Sequence, residues 1–148
     1  MGFEVERPET KYGGKGGAPD VIWLLNDDQA FIIEVKSKKK SSNPFTKEEL
    51  GQLLASTEWF KKEYSNYNYH SVSLHPSIYS TKNTTTDDVY ILTLDKLNVL
   101  ISNCHQLFNQ LCNSEIPKQQ LLSRCTSLLE EYDLTADKLP VIYLQKFQ

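Results

Sequence analysis

Residues 18 to 36, Ala-Pro-Asp-Val-Ile-Trp-Leu-Leu-Asn-Asp-Asp-Gln-Ala-Phe-Ile-Ile-Glu-Val-Lys, constrain the fold more tightly than any other stretch of the chain. Val21 to Leu25 and Ala30 to Val35 are two short apolar runs rich in β-branched and aromatic residues. Asn26-Asp27-Asp28 between them is turn chemistry, so the stretch is expected to be a β-hairpin. If those three residues form the loop, Leu25 faces Gln29 and Asp20 falls directly opposite Glu34. Period-two alternation then places Asp20, Ile22 and Leu24 on the same face as Glu34 and Lys36.

That register has a chemical consequence. Two carboxylates placed opposite each other on a sheet repel, and the arrangement is a fault in the fold unless a cation lies between them. A hard divalent ion such as Mg2+ or Mn2+ suits such a pair, since it takes oxygen ligands and is held by one or two carboxylates, with waters and substrate phosphates filling its remaining positions. Lys36, two residues on and on the same face, could hold or deprotonate an attacking water, or neutralise charge building on a phosphate. On its own, E-x-K is a common tripeptide and fits a solvated surface hairpin equally well. The case here rests on its conjunction with Pro19-Asp20, two apolar strands and a tight turn.

Pro19-Asp20 followed by Glu34-Val35-Lys36 resembles the motif of the PD-(D/E)xK nuclease superfamily, which has the restriction-endonuclease-like fold. The resemblance implies an α/β protein with a three-layer core, a mixed central sheet flanked by helices. It also implies Asp20 and Glu34 as metal ligands, the Val35 carbonyl as a third, Lys36 as the catalytic lysine, and a Mg-dependent deoxyribonuclease, endonuclease-type hydrolase activity. In several branches the following helix carries a glutamine that reaches the site, and Gln52 is similarly placed. The family core opens with a helix that often bears a further acid. The first core helix is apparently missing here, so we expect a piece of a longer protein, or that Glu4, Glu6 or Glu9 takes over that acid's place.

Length and composition are compatible with this reading without requiring it. The 148 residues are expected to form a single nuclease-like domain, with residues 1–94 as core and 95–148 as a helical C-terminal part. No apolar run reaches the roughly 20 residues of a membrane helix, and the first residues lack a basic-then-apolar leader. Three cysteines without clustered spacing fit reduced thiols, so a cytoplasmic protein with no membrane partner is expected. Cys104, Cys112 and Cys125 match no zinc module and are read as core thiols. The net charge of −3 is unusual for a DNA-binding protein, but the acid is unevenly spread. Residues 1 to 62 carry ten Lys/Arg and ten Asp/Glu, whereas residues 63 to 148 carry six against nine. Affinity for DNA from this chain alone should therefore be modest.

The remaining elements follow from periodicity. Phe3 to Arg7 alternates like a short strand ended by Pro8. The glycine-rich Lys11 to Gly17 reads either as a connection or as a place where a DNA backbone comes close, with Lys15 on a phosphate. Lys38, Lys39 and Lys40 form either a solvated loop or phosphate contacts beside the scissile bond. Thr46-x-x-Glu49 is a capping box opening a helix to about Tyr64, with Leu50, Leu53, Leu54, Thr57, Phe60 and Tyr64 as its buried stripe. Trp59 is expected to pack against the sheet more than to stack on a base. Tyr69 to Leu74 and Val89 to Leu94 read as strands, and 80–88 as a mobile polar loop. His70 and His75 are given structural roles. Asp95 caps a helix with Leu97, Leu100, Ile101, Cys104, Leu107, Phe108 and Leu111 on its apolar face. Pro117 starts another with Leu121, Leu122, Cys125, Leu128, Leu129 and Tyr132 inward, and 140–147 reads as helix or edge strand. Two functions remain open: metal-dependent phosphodiester hydrolysis of DNA, and a non-catalytic nucleic-acid- or protein-binding module with the same fold. Other domains of a parent chain and a homodimer are both compatible with the sequence.

Overall fold

The computed structural model describes residues 4–12, 17–112 and 115–148, apart from the side chains of residues 4–6 and 9. The chain divides into two compact units, one of Met1–Leu94 with Leu144–Gln148 and one of Asp95–Tyr143. The first is α/β. Its five-stranded sheet runs β1 (Glu4–Glu6), β2 (Val21–Leu24), β3 (Gln29–Val35), β4 (Asn68–Leu74), β5 (Val89–Leu92), in that spatial order. β1, β2 and β3 pair antiparallel, and β3, β4 and β5 pair parallel. Three strands, a helix and two further strands thus follow one another along the chain. A short helix, α1 (Pro8–Tyr12), which the sequence did not announce, lies between β1 and β2.

The hairpin has the expected register. Leu24 pairs with Ala30 and Val21 with Ile33, and Leu25 N–H donates to Gln29 O at 2.9 Å, so residues 26 to 28 form the loop. One face of the sheet carries Ile22, Ala30 and Ile32, which pack with Phe60 of α2 (Lys47–Glu63) and are wholly buried with it. The opposite face carries Phe31, Ile33, Val72 and Leu92, all buried. Burial of both faces explains why β3 reads as a continuous apolar run rather than an alternating one.

α2 begins at its capping box: Thr46 Oγ accepts from Glu49 N–H at 3.3 Å, and Glu49 Oε2 accepts from Thr46 N–H at 2.9 Å. Its buried stripe is Glu49, Leu53, Ser56, Thr57 and Phe60, with Leu50 and Tyr64 half-buried. Leu54, assigned inward by periodicity, is 46% exposed. The physical reason is that the sheet beneath offers polar partners. Ser56 bonds Glu34 at 2.7 Å and Thr57 bonds Ser71 at 2.7 Å, and the helix is rotated to meet them.

After β4 the chain is tied down at residues 79–81. Phe45 N–H donates to Tyr79 O at 2.8 Å, Thr81 N–H to Phe45 O at 2.9 Å, and Ser80 N–H to Gln148 O at 2.8 Å. The C-terminal residues belong to this unit because Gln145 bridges Ile91 of β5 and Phe147 stacks on Phe45 at 4.4 Å between ring centroids. The second unit consists of α3 from its second residue (α3 is Leu94–Cys112), a 3-10 turn (Lys118–Gln120), α4 (Leu121–Glu131) and α5 (Lys138–Tyr143). Asp95 lies in the first turn of α3 rather than capping it. Asn103 links α3 to α5 through Tyr143 Oη at 2.8 Å and to Tyr132 O at 3.1 Å. Ile101, Phe108, Leu121 and Leu122, assigned inward, are exposed, and so is Cys112, read as a core thiol. Among the described residues no helix is long and apolar enough to cross a membrane.

The rotation of α2 sets apart two of its apolar residues. Phe60→Ala is expected to cost about 3–5 kcal/mol of unfolding free energy, whereas Leu54→Ala should cost under about 1 kcal/mol. Urea denaturation of the two variants checks this, and equal losses would contradict the helix orientation.

Candidate metal and phosphodiester site

Extending the hairpin register one step past Val21–Ile33 places Asp20 opposite Glu34, at the end of β3 that meets α2. Gly17, on the approach to Asp20, adopts φ +78°, a left-handed conformation that glycine takes without strain. Pro19 follows, buried, and Asp20 is half-buried.

Each carboxylate is anchored through one oxygen. Asp20 Oδ2 accepts from Val35 N–H at 2.7 Å. Glu34, only 8% exposed, accepts on Oε1 from Ser56 Oγ–H at 2.7 Å, while its Oε2 lies 3.6 Å from Lys36 Nζ. Lys36 in turn donates to Gln52 Oε1 at 2.7 Å. Burial raises the Glu34 pKa. The Ser56 hydrogen bond opposes that rise, the negative charge of Asp20 adds to it, and Lys36 pulls it back, with the net result above the usual carboxylate value. A buried acid held partly against its own charge is the electrostatic state a bound cation relieves.

The pairing pattern also bears on Val35. Leu25 and Gln29 form a hydrogen-bonded pair, and in an antiparallel ladder such pairs recur every second residue. Val35 would therefore exchange bonds with residue 19, which is a proline and has no N–H. The Val35 N–H is satisfied by the Asp20 side chain instead, and its carbonyl has no ladder donor. The second oxygen of each carboxylate, that of Glu34 shared with Lys36 Nζ at 3.6 Å, and that carbonyl form an all-oxygen donor set, which fits a small hard divalent ion. Among the described residues no group of three or more His, Cys, Asp and Glu side chains converges, so further ligands would have to be water or phosphate.

Asp20, Glu34, Lys36 and Gln52 are thus brought together, and Val35 is beside them. Of the basic residues, Lys38 and Lys40 are exposed. Lys39 is committed differently, its ammonium 2.8 Å from Glu49 Oε1. Burial alone would raise the Glu49 pKa, but hydrogen bonds from Lys39 and from both Thr46 donors hold it below the usual range. Lys15 and the side chains of Glu4, Glu6 and Glu9 lie outside the described residues.

His70 is on the opposite sheet face, edge-on to Phe31 and Tyr90, and burial lowers its pKa. His75 is wholly buried, with Nδ1 3.0 Å from Ser77 N and Nε2 3.9 Å from Glu49 Oε1. Burial lowers its pKa as well and keeps it neutral near pH 7. Trp59 is half-buried against Tyr12 and the Ile22 cluster. Sequence reading missed Ser56 and gave Glu49 only its capping role, though both are polar at inward positions of α2. The available signal was helical spacing: Ser56 follows Gln52 by one turn and Glu49 precedes Leu53 by one turn.

No protein-family model matches the chain, and no curated protein matches it in sequence. Among solved structures, it is similar to the small subunit of the heterodimeric restriction endonuclease R.BspD6I, at 13% identity and a TM-score of 0.37, over 78% of this chain and 69% of that one. The likeness is too loose to bear on function.

The raised Glu34 pKa has a testable sign. Such a group favours the fold while protonated, and that contribution is lost as pH rises through its folded-state pKa. Glu34→Gln, which keeps an acceptor for Ser56, should therefore raise Tm in metal-free buffer at pH 8. The gain should shrink toward zero as pH falls to the ordinary value of 4.5. Differential scanning calorimetry at the two pH values measures it, and a variant less stable than the parent at pH 8 would contradict the assignment.

Proposed function

We propose that this chain is a metal-dependent phosphodiesterase acting on DNA, a nuclease of the PD-(D/E)xK type. The observation that carries the reading is the convergence of Asp20, Glu34 and Lys36 at one end of β3, with Gln52 holding the lysine from α2. Mg2+ or Mn2+, when held by Asp20, Glu34 and the Val35 carbonyl, would supply Lewis-acid polarisation of a phosphoryl oxygen. Among the described residues Lys36 is the cation in contact with Glu34, and it takes the role of orienting the attacking water and offsetting charge that grows on the phosphate. Gln52 restricts the swing of that long side chain, which serves positioning.

Exposed Lys38 and Lys40 follow directly on the catalytic strand and are suited to the phosphates flanking the scissile bond. Lys15, just before Pro19 in sequence, has the same role in this reading. The complete Asp, Glu and Lys set favours catalysis over a binding module of the same fold, because a module released from hydrolysis has no reason to keep a repulsive carboxylate pair.

Cleavage of supercoiled plasmid in Mg2+ tests the proposal. Asp20→Ala and Glu34→Ala should each bring cleavage to background with the fold retained by circular dichroism. Lys36→Ala should lower the rate on the order of 10²–10⁴-fold while Mn2+ binding persists. Parent-level cleavage in any of the three would overturn the assignment of that residue, and in both carboxylate variants the whole reading.

A further inference from the structure

We infer that Ser56 tunes metal selectivity at the Asp20/Glu34 pair, orienting Glu34 toward single-oxygen ligation and so favouring a small octahedral ion, Mg2+ or Mn2+, over Ca2+. The inference rests on the proposed metal-binding role of that pair and goes beyond it to name the residue that tunes the pair. Ser56 is 2% exposed and faces the sheet. Serine and threonine on a helix commonly bond back to the carbonyl four residues earlier, and the adjacent Thr57 does so, to Leu53 O at 2.8 Å. Ser56 instead spends its one proton on Glu34 Oε1, at 2.7 Å. With one lone pair of Oε1 committed to Ser56, Oε2, which faces Lys36 Nζ at 3.6 Å, is the oxygen better placed to take a cation.

Asp20 is treated in the same way, through an independent donor. Val35 N–H takes Oδ2 at 2.7 Å. Both carboxylates are therefore oriented toward one-oxygen ligation by groups of the protein, one a backbone amide that cannot be substituted away and the other the Ser56 hydroxyl. Ca2+ takes about six to eight oxygens and readily uses carboxylates in bidentate fashion, whereas Mg2+ requires near-ideal octahedral geometry and keeps its waters. A pair of one-oxygen carboxylates on a rigid hairpin matches the second ion. Ser56 acts through Glu34 and is a positioning residue.

Isothermal titration of Mn2+ and of Ca2+ into the parent chain, Ser56→Ala, the near-isosteric Ser56→Cys and Asp20→Ala tests this. Loss of an outer-shell hydrogen bond typically weakens metal affinity about 10–100-fold. Ser56→Ala should weaken Mn2+ within that range, with Ca2+ unchanged or tighter, so that the preference for Mn2+ falls at least about tenfold. Ser56→Cys, a weak donor, should shift the ratio in the same direction and decides the matter if the alanine variant fails to fold. An unchanged Mn2+ to Ca2+ ratio alongside a loss of Mn2+ binding in Asp20→Ala would overturn the role of Ser56 and leave the metal pair standing. No Mn2+ binding by the parent, or binding indifferent to Asp20→Ala, would overturn both.

Discussion

The structure depends on one unfavourable contact: Asp20 and Glu34 face each other across β2 and β3, where like charges repel. Everything around them moderates that repulsion. Val35 N–H satisfies one oxygen of Asp20, Ser56 one oxygen of Glu34, and Lys36 brings a positive charge within 3.6 Å. The compensation is incomplete, since Glu34 still has a raised pKa. A protein under selection for stability alone would put an apolar pair at this position, and the metal role proposed above accounts for the retained repulsion.

α2 supplies more of the site than its role as a covering helix requires. It carries Glu49, Gln52 and Ser56 at successive turns, and these hold Lys39, Lys36 and Glu34 respectively. Positions that a purely apolar helix would give to leucine are given to hydrogen-bonding groups, while Leu53 and Phe60 on either side keep the packing dry. The same choice orients the helix, because a serine bonded to Glu34 and a threonine bonded to Ser71 fix its rotation more narrowly than apolar contacts, which are non-directional. The exposure of Leu54 follows from that rotation.

Much of this was legible in the residue order. The hairpin register could be read because a three-residue polar turn between apolar runs leaves few alternatives, and period two then assigns faces. Capping at Thr46 was equally local. What the residue order left unread lay where a non-local partner decided the outcome or an element was short. Lys39 looked like its neighbours Lys38 and Lys40 until Glu49 claimed it, and α1 has too few residues to show a period. Residues 140–147 read as helix or edge strand and contain both, α5 to Tyr143 and then a bridge from Gln145 to Ile91.

By itself, then, the chain's order of residues determined the hairpin, the pairing of Asp20 with Glu34 and their sharing of a face with Lys36, since each follows from short-range turn chemistry and the two-residue repeat of a strand. Only the tertiary structure decided which oxygen of each carboxylate is already engaged, that Ser56 rather than Leu54 turns inward, and that Gln52 grips Lys36. Those outcomes depend on how a helix 11 residues downstream of Lys36 is rotated over the sheet, a matter settled by which buried polar groups can satisfy one another.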